Sequence, residues 1–361
     1  MSEAEDMSEV ENILERALAG EDLSREEISL LLSEQREEKQ ERIFAAAREM
    51  RERYFGRKVF AYGFIYFSTH CRNNCHFCFY RRDNDVSPRY RKNPEEILQL
   101  AGALEDSGVH LLDLTMGEDP RYYSRDDFSG LISTVEKLHS RTDLPLMASF
   151  GRVPDHILSK LAASGVDWYA CYQETHNREL FEDLRCEQDY DSRLEIKKEA
   201  AELGLLVEDG ILLGSGEATA DRAESIMIMK ELGVDQGRVM SFVPQDGTPM
   251  VDRNSPPRRQ ELLAIACLRL VLGDSLVPAS LDVEGIEGLL PRLRAGANVI
   301  TSIIPPASGL RGVSNSSLDI DEGRRNVSGV REELSRTDLH LSTAAEYRDW
   351  VEQRKQVRKK G

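Results

Sequence analysis

A chain of 361 residues with 40% apolar side chains can build two ordinary domains or one large α/β barrel with extensions. No run approaches the ~18 apolar residues of a membrane span, and a formal charge of −17 argues against general nucleic-acid binding, which needs basic surface to meet phosphates. Six cysteines scattered through so long a chain are not a secreted disulfide framework. The acidic start MSEAEDMSEVENILE lacks the basic and apolar blocks of a secretory signal, so a cytoplasmic protein is expected.

Residues 1–57 read as a helical extension. Ser24 and Glu27 form a capping-box pattern with Leu23 and Ile28 placed as a hydrophobic staple. The stretch REEKQERIFAAAREMRERYF then carries apolar residues on one face, as an amphipathic helix packed on something larger does.

From 58 to 306, short apolar runs alternate with helical patterns. The runs are VFAYGFIYF, VHLLDLTMG, LPLMASFG, DWYACYQET, LVEDGILLG, GRVMSFVP, LVPASLDVEG and ANVITSII. Several intervening helices close on a glycine (LEDSGV, LAASGV, AELGLL, KELGVD, LRAGAN), the residue that best adopts the left-handed C-terminal cap. Asn93, Pro94 and Glu96 open the first of them. Eight such repeats predict an α/β fold of the (β/α)8 TIM type. Residues 307–361 form a short polar C-terminal segment with a final helix from about Ser342, whose basic end RKQVRKKG is expected to be solvated.

The first strand runs straight into YFSTHCRNNCHFCFYRRDN. Cys71, Cys75 and Cys78 are separated by three residues and then two, so one short loop can wrap them around a compact object. Thiolates are soft donors, and a cubane iron–sulfur cluster normally takes four. Three protein thiolates would leave one iron open for chemistry, as a catalytic zinc keeps an open position. A zinc knuckle completed by His70 or His76 would use the same thiols, and three unrelated buried thiols would hold nothing.

In a parallel barrel, chemistry gathers where the carboxyl ends of the strands meet their loops. There the sequence places the cysteines, Asp113 with Met116-Gly117-Glu118-Asp119, Ser149, then Gln173, Glu174 and His176. Glu208, Asp209, Arg238, Ser280 and Asp282 follow on later strands. Polar groups within strands are costly unless paired or bound to a ligand, so this many of them at one end predict a polar site.

The cysteine spacing is similar to that of the radical S-adenosylmethionine superfamily. Within it, LLDLTMGEDP, YQETHNREL, LRCEQDYDSR, VEDGILLGSGE, RVMSFVPQDGTP, VPASLDVEGIEG and RLRAGANVITSIIPP resemble the methylornithine synthase family of pyrrolysine biosynthesis, over nearly the whole chain. The resemblance implies one [4Fe–4S] cluster on Cys71, Cys75 and Cys78, with S-adenosyl-L-methionine on its open iron as the source of a 5′-deoxyadenosyl radical. It implies a S-adenosylmethionine site at Tyr80, Met116, Gly117, Glu118, Ser149, Glu174 and Arg193, with Met116 standing where the superfamily has glycine. It implies a substrate site at Asp113, Arg238, Ser280, Leu281 and Asp282, with L-lysine isomerised to (3R)-3-methyl-D-ornithine through Cα–Cβ fragmentation and recombination. An external electron donor is the implied partner, with neither nucleic acid nor membrane.

The pocket residues suit lysine on chemical grounds as well. Arg238 offers a planar fork to one carboxylate, Asp113 and Asp282 offer acceptors to two ammonium groups, and Ser280 adds a neutral hydrogen bond. Arg238 and a neighbouring aspartate could equally be a core ion pair. A second cluster, as in biotin-synthase-like enzymes, would need Cys171, Cys186 and Cys267; only Cys171 falls on a strand, and three buried free thiols are the expectation. A non-catalytic iron–sulfur protein that binds an amino acid stays open on residues alone.

Overall fold

The computed structural model describes residues 3–126, 128–313 and 323–358. Eight parallel strands form one sheet: β1 (Lys58–Ser68), β2 (Leu111–Met116), β3 (Leu146–Ser149), β4 (Trp168–Ala170), β5 (Leu206–Leu213), β6 (Gln236–Ser241), β7 (Pro278–Ser280) and β8 (Val299–Ile303). Their order is β6-β5-β4-β3-β2-β1-β8-β7. The two edges meet through one bridge, Gln236 to Leu276, at the amino-terminal end. Gly237 N–H donates to Leu276 O (3.0 Å) and Leu276 N–H to Asp235 O (2.8 Å). The result is a nearly closed (β/α)8 barrel of TIM type, its seam unladdered toward the carboxyl ends. Strands covered on both sides read as continuous apolar runs, and β1 is buried from Val59 to Ser68.

Three helices precede the barrel: α1 (Glu3–Ala19), α2 (Arg25–Ser33) and α3 (Glu37–Phe55). The Ser24–Glu27 capping box is present at α2, which packs on α9 (Thr219–Glu231), while α3 packs on α10 (Arg258–Leu272). Around the barrel lie α4 (Pro94–Ser107), α5 (Ser129–His139), α6 (Asp155–Ala163), α7 (Arg178–Leu184), α8 (Tyr190–Glu202), α9 (Thr219–Glu231), α10 (Arg258–Leu272) and α11 (Leu289–Arg294). At α4, Asn93 Oδ1 accepts from Glu96 N–H (3.0 Å) while Asn93 N–H donates to Glu96 Oε2 (2.8 Å). Gly108 ends the helix at φ 89°, a conformation that a Cβ disfavours. Among the described residues, no helix is long and apolar enough to cross a membrane.

The C-terminal segment is more structured than its polarity suggests. It contributes α12 (Val327–Leu334), β9 (His340–Leu341), which pairs parallel with the start of β1, and α13 (Ala344–Arg358). Helix α13 plugs the amino-terminal mouth of the barrel. Tyr347 is fully buried there, its hydroxyl 2.7 Å from that of Tyr62, and Trp350 stacks on Trp168.

In the described part of this helix's basic end Arg354, Lys355 and Arg358 are paired rather than solvated; residues 359–361 lie outside the described residues. Arg354 pairs with Asp235 (2.9 Å) and Asp274 (2.6 Å), Arg358 with Asp235 (2.7 Å), and Lys355 with Asp167. The acids sit in the loops that feed β4, β6 and β7, so complementary charge draws the helix end onto the barrel floor.

Candidate active site

The loop after β1 has no regular secondary structure over most of its length, so side chains must hold it. Arg89 does much of this: its guanidinium donates to the carbonyls of Thr69 (2.6 Å), Tyr80 (2.9 Å), Arg81 (2.5 Å) and Asn84 (3.3 Å). Asn84 Nδ2 donates to Phe79 O and to Asp246 O, both at 2.8 Å. The loop also leans on the end of β2, where Gly117 N–H donates to Ser68 O and Arg72 N–H to Glu118 O, each at 2.9 Å. A Cβ on Gly117 would lie 2.4 Å from His70 O, so this approach requires glycine.

Cys71, Cys75 and Cys78 therefore line one side of a cavity of about 250 Å3 at the carboxyl ends of the strands. Burial, then the neighbouring Cys75, pushes the Cys71 thiol up to about 11; burial and then Cys75 and Cys71 raise Cys78 as well. Such thiols ionise when a metal replaces the proton. Gln188 Nε2 lies 3.0 Å from Cys75 Sγ and Arg185 Nη1 3.8 Å from it, donors suited to a sulfur bearing negative charge. Among the described residues, no three His, Cys, Asp or Glu side chains converge as a single-ion site requires. A cubane presents its irons at separate corners and needs no such convergence. The donor set fits a cluster with three protein thiolates better than it fits one zinc ion.

Beside the thiols, Glu118 is buried and held three ways. Oε2 accepts from Arg72 Nε (2.9 Å), Oε1 accepts from Arg152 N–H (3.0 Å), and Arg193 Nη1 lies 3.7 Å from Oε1. Arg193, from the first turn of α8, donates through Nε to Tyr172 O at 2.7 Å. Asp119 locks the strip to the thiol loop, accepting from Ser68 Oγ (2.5 Å) and from both Arg91 Nε (2.6 Å) and Nη2 (2.7 Å).

Glu174 breaks two ordinary rules at once. Its φ is 69°, unusual for a residue with a side chain, and its buried carboxylate is half-satisfied. Oε1 accepts from Arg185 Nη2 at 2.5 Å, whereas Oε2 has no hydrogen-bond partner. A strained backbone carrying an orphaned acceptor into a cavity marks a ligand contact, and a sugar hydroxyl or an ammonium would satisfy it. This acceptor beside three thiols is what a nucleoside-bearing sulfonium needs, so the residues present fit S-adenosylmethionine.

The cavity floor carries the opposite chemistry. Asp113 Oδ1 accepts from Thr115 Oγ1 (2.9 Å) and Ser149 Oγ (2.7 Å). Burial first, then the charge of Glu208, pushes Asp113 up to about 6. Arg238 donates through Nε to Glu208 Oε1 (2.6 Å) and through Nη1 to Thr301 Oγ1 (3.0 Å). The expected core ion pair exists, then, but with a glutamate, and it stands at the cavity wall. Asp282 also differs from expectation, since it already faces a cation: Arg325 Nη2 lies 2.8 Å from Oδ1, which also accepts from Val313 N–H at 3.2 Å.

Thirteen of the fifteen expected site residues line this one cavity: Cys71, Cys75, Cys78, Asp113, Met116, Gly117, Glu118, Ser149, Glu174, Arg193, Arg238, Ser280 and Asp282. Leu281 does not; side chains alternate at a strand end, so it turns into the core between inward Ser280 and Asp282. Tyr80 does not either. Its hydroxyl donates to Gly312 O (3.0 Å) and its ring meets Tyr66, which does line the cavity, edge-on at 5.2 Å. Gln173, His176 and Asp209 also stay out of it. Asp209 pairs with buried Lys197 (2.6 Å), which also donates to Gln173 Oε1 (2.9 Å).

Residues that sequence reasoning gave no role include Arg185, Glu208, Thr301 and Arg325. Glu208 carried a signal, a charge inside an apolar strand, whereas Arg325 in a polar tail carried none. The remaining cysteines do not gather. Cys171 lines the cavity, Cys267 is buried in α10, and Cys186 is only half-buried, donating to Asn74 O at 3.1 Å.

A parallel barrel with three thiols on the loop after its first strand, and an acidic residue beside them just past the end of the second, defines a radical S-adenosylmethionine enzyme. The radical SAM superfamily model matches residues 65–229. The chain is 40% identical over 333 residues to 3-methylornithine synthase of Methanosarcina acetivorans, covering 92% of this chain and 94% of that protein. It superposes on the crystal structure of methylornithine synthase with a TM-score of 0.89 at 39% identity, over 94% of this chain and 99% of the other. It is 33% identical over 263 residues to the [FeFe] hydrogenase maturase subunit HydE of Thermotoga maritima, covering 72% of this chain and 74% of that protein. The chain belongs to the 3-methylornithine synthase family.

Proposed function

We propose that this chain isomerises L-lysine to (3R)-3-methyl-D-ornithine, the entry step of pyrrolysine biosynthesis, drawing an electron from an external donor. One observation carries the reading: a single cavity holds the three-thiol loop on one side and an arginine with two carboxylates on its floor and wall. The cluster and S-adenosylmethionine supply, when bound, the radical that removes hydrogen from the lysine side chain.

The residues of the chain bind and confine. Arg238 meets the lysine carboxylate, and Asp113, faced by hydroxyl donors and by Arg238, takes an ammonium. Ser280 and Asp282 receive the other amino end, with Arg325 holding Asp282 in place. Met116, Gly117, Glu118 and Arg193 surround the methionine portion of the cofactor, and Glu174 and Ser149 take its hydroxyls. Fragmentation and rejoining demand that both fragments stay within bonding reach with water excluded, which an enclosed cavity provides.

The test is to reconstitute the cluster without oxygen, add reductant, S-adenosylmethionine and L-lysine, and identify the product by mass and chirality. Formation of 3-methyl-D-ornithine is expected. Lysine recovered unchanged while S-adenosylmethionine is cleaved would refute the assignment.

A further inference from the structure

Glu208 has no role in the scheme above, yet it is a buried charge held against the Arg238 guanidinium. It sits within β5, fully buried, with Oε2 unbonded but facing the Tyr172 hydroxyl. Strand register explains how it reaches Arg238. Gly210 lies directly opposite Arg238 on β6, and Glu208, two residues earlier, shares the face of Gly210. A Cβ on Gly210 would sit 3.1 Å from both Arg238 Cβ and Tyr172 Cδ1, so the glycine leaves room for Arg238 to turn back toward the glutamate.

The consequence is an oriented guanidinium. Nε is taken by Glu208 and Nη1 reaches Thr301, while among the described residues Nη2 has no acceptor. A carboxylate entering the cavity must therefore meet the outer edge of the fork and not the Nε side. Charge accounting adds a second consequence. The charged groups gathered about the floor and the β7 wall are Arg238, Arg325 and Arg292, with Asp113, Asp282, Glu208 and Glu261. Three cations against four anions leave one net negative charge. Lysine brings one net positive charge; a monoamino acid brings none.

We propose that Glu208 is a positioning and selectivity residue. It holds Arg238 edge-on to the substrate carboxylate, and its charge makes the pocket prefer an amino acid with two ammonium groups over one with a single ammonium. This rests on the lysine assignment above. Unpaired charge in an enclosed site is strongly disfavoured, so moving the pocket from one net negative charge to zero shifts which ligand leaves the complex neutral.

Two substitutions separate the two roles. Glu208→Gln keeps an oxygen able to accept from Arg238 Nε but removes the charge. Glu208→Asp keeps the charge but shortens its reach. Binding of L-lysine and of its neutral-tailed analogue L-norleucine is measured by anaerobic calorimetry on cluster-reconstituted chain containing S-adenosylmethionine without reductant. In Glu208→Gln the preference for lysine over norleucine should fall by about tenfold or more, with norleucine little affected. In Glu208→Asp both ligands should weaken together, with the preference retained.

A merely structural glutamate would weaken both ligands alike in the Gln variant, and an unchanged preference there overturns the proposal. Where Glu208→Gln does not fold, judged by its melting and iron content, the Asp variant decides: wild-type affinity for both ligands overturns it. Wild-type chain that binds lysine but forms no 3-methylornithine would defeat the proposed reaction and leave this selectivity measurable. Normal turnover with charge-insensitive selectivity would do the reverse.

Discussion

The two ends of the barrel use the same residue types for opposite purposes. At the amino-terminal end, α13 inserts Tyr347 and Val351 among Phe60, Leu111, Trp168 and Val299. The charges around that plug are answered, with Arg354, Lys355 and Arg358 facing Asp235, Asp274 and Asp167. At the carboxyl end, Arg185, Glu174, Glu208, Arg238 and Asp113 are as deeply buried, yet Glu174 Oε2 and Glu208 Oε2 are left unbonded. At the amino-terminal end the unpartnered atoms are neutral (Trp168 Nε1, the Gln236 amide and Asn298 Nδ2), whereas at the carboxyl end they include carboxylate oxygens, and an unmet buried carboxylate lining the cavity, as at Glu174, points to a ligand. Stability resides at one mouth of the barrel and chemistry at the other.

The largest effect that separates the ends should come from the thiol loop. Cys75→Ala should abolish product formation and the iron–sulfur absorbance, with the far-ultraviolet circular dichroism preserved, because the barrel closes without the loop. Next, Arg238→Lys and Asp113→Asn should each lower kcat/KM for lysine by about two orders of magnitude or more, with iron content unchanged. An ammonium cannot present a planar fork, and an amide cannot balance an ammonium. Wild-type kinetics in both variants would remove these residues from the substrate site.

The contrasting substitution is Tyr347→Ala. It should cost about 3–5 kcal/mol of stability through the cavity it leaves in the aromatic plug. The KM for lysine, measured below the lowered melting point, should stay within about twofold of wild type. A large KM change would show that the two ends are coupled.

A smaller effect is expected from pH. Only the ionised carboxylate of Asp113 balances an ammonium, and burial together with Glu208 lifts that group to about 6. The groups facing it are Glu208, Arg238, Ser149 and Thr115. Lysine affinity should therefore be full above about pH 6 and fall as pH drops through it. Because the folded pKa is raised from 3.8, ionising Asp113 as pH rises from there through about 6 lowers folding stability while it improves binding. The smallest effect belongs to Cys267→Ala, which should leave about four irons per chain, since one cubane accounts for the iron.

What could be read from the amino acids alone divides along the same line. The strands and the three-thiol loop were legible because they are local: apolar runs, glycine caps and spaced cysteines each act within a few residues. The convergence of twelve of the thirteen site residues followed from barrel geometry once the strands were placed; Arg193, on α8, came only from the family resemblance. Three features were not legible, each because a partner lies far away in sequence. Glu208 reads as one polar strand residue among many, and its pairing with Arg238 is hidden because the partner lies 30 residues on. That Arg325 holds Asp282 could not be read either, because it lies 43 residues further on in a polar tail. The basic end of α13 looked solvated because nothing nearby in sequence shows that Asp167, Asp235 and Asp274 surround it. Leu281 is a lesson in period: flanked by two pocket residues, it faces the other way.

The claim that the carboxyl end of this barrel performs radical chemistry on lysine is tested most directly with perdeuterated L-lysine. Reconstituted enzyme is incubated with reductant, unlabelled S-adenosylmethionine and the labelled amino acid, and 5′-deoxyadenosine and residual S-adenosylmethionine are examined by mass spectrometry. Deuterium in the 5′-deoxyadenosyl group, together with labelled 3-methylornithine, is the predicted result. Cleavage of S-adenosylmethionine with no deuterium transferred, and lysine recovered unchanged, would contradict it.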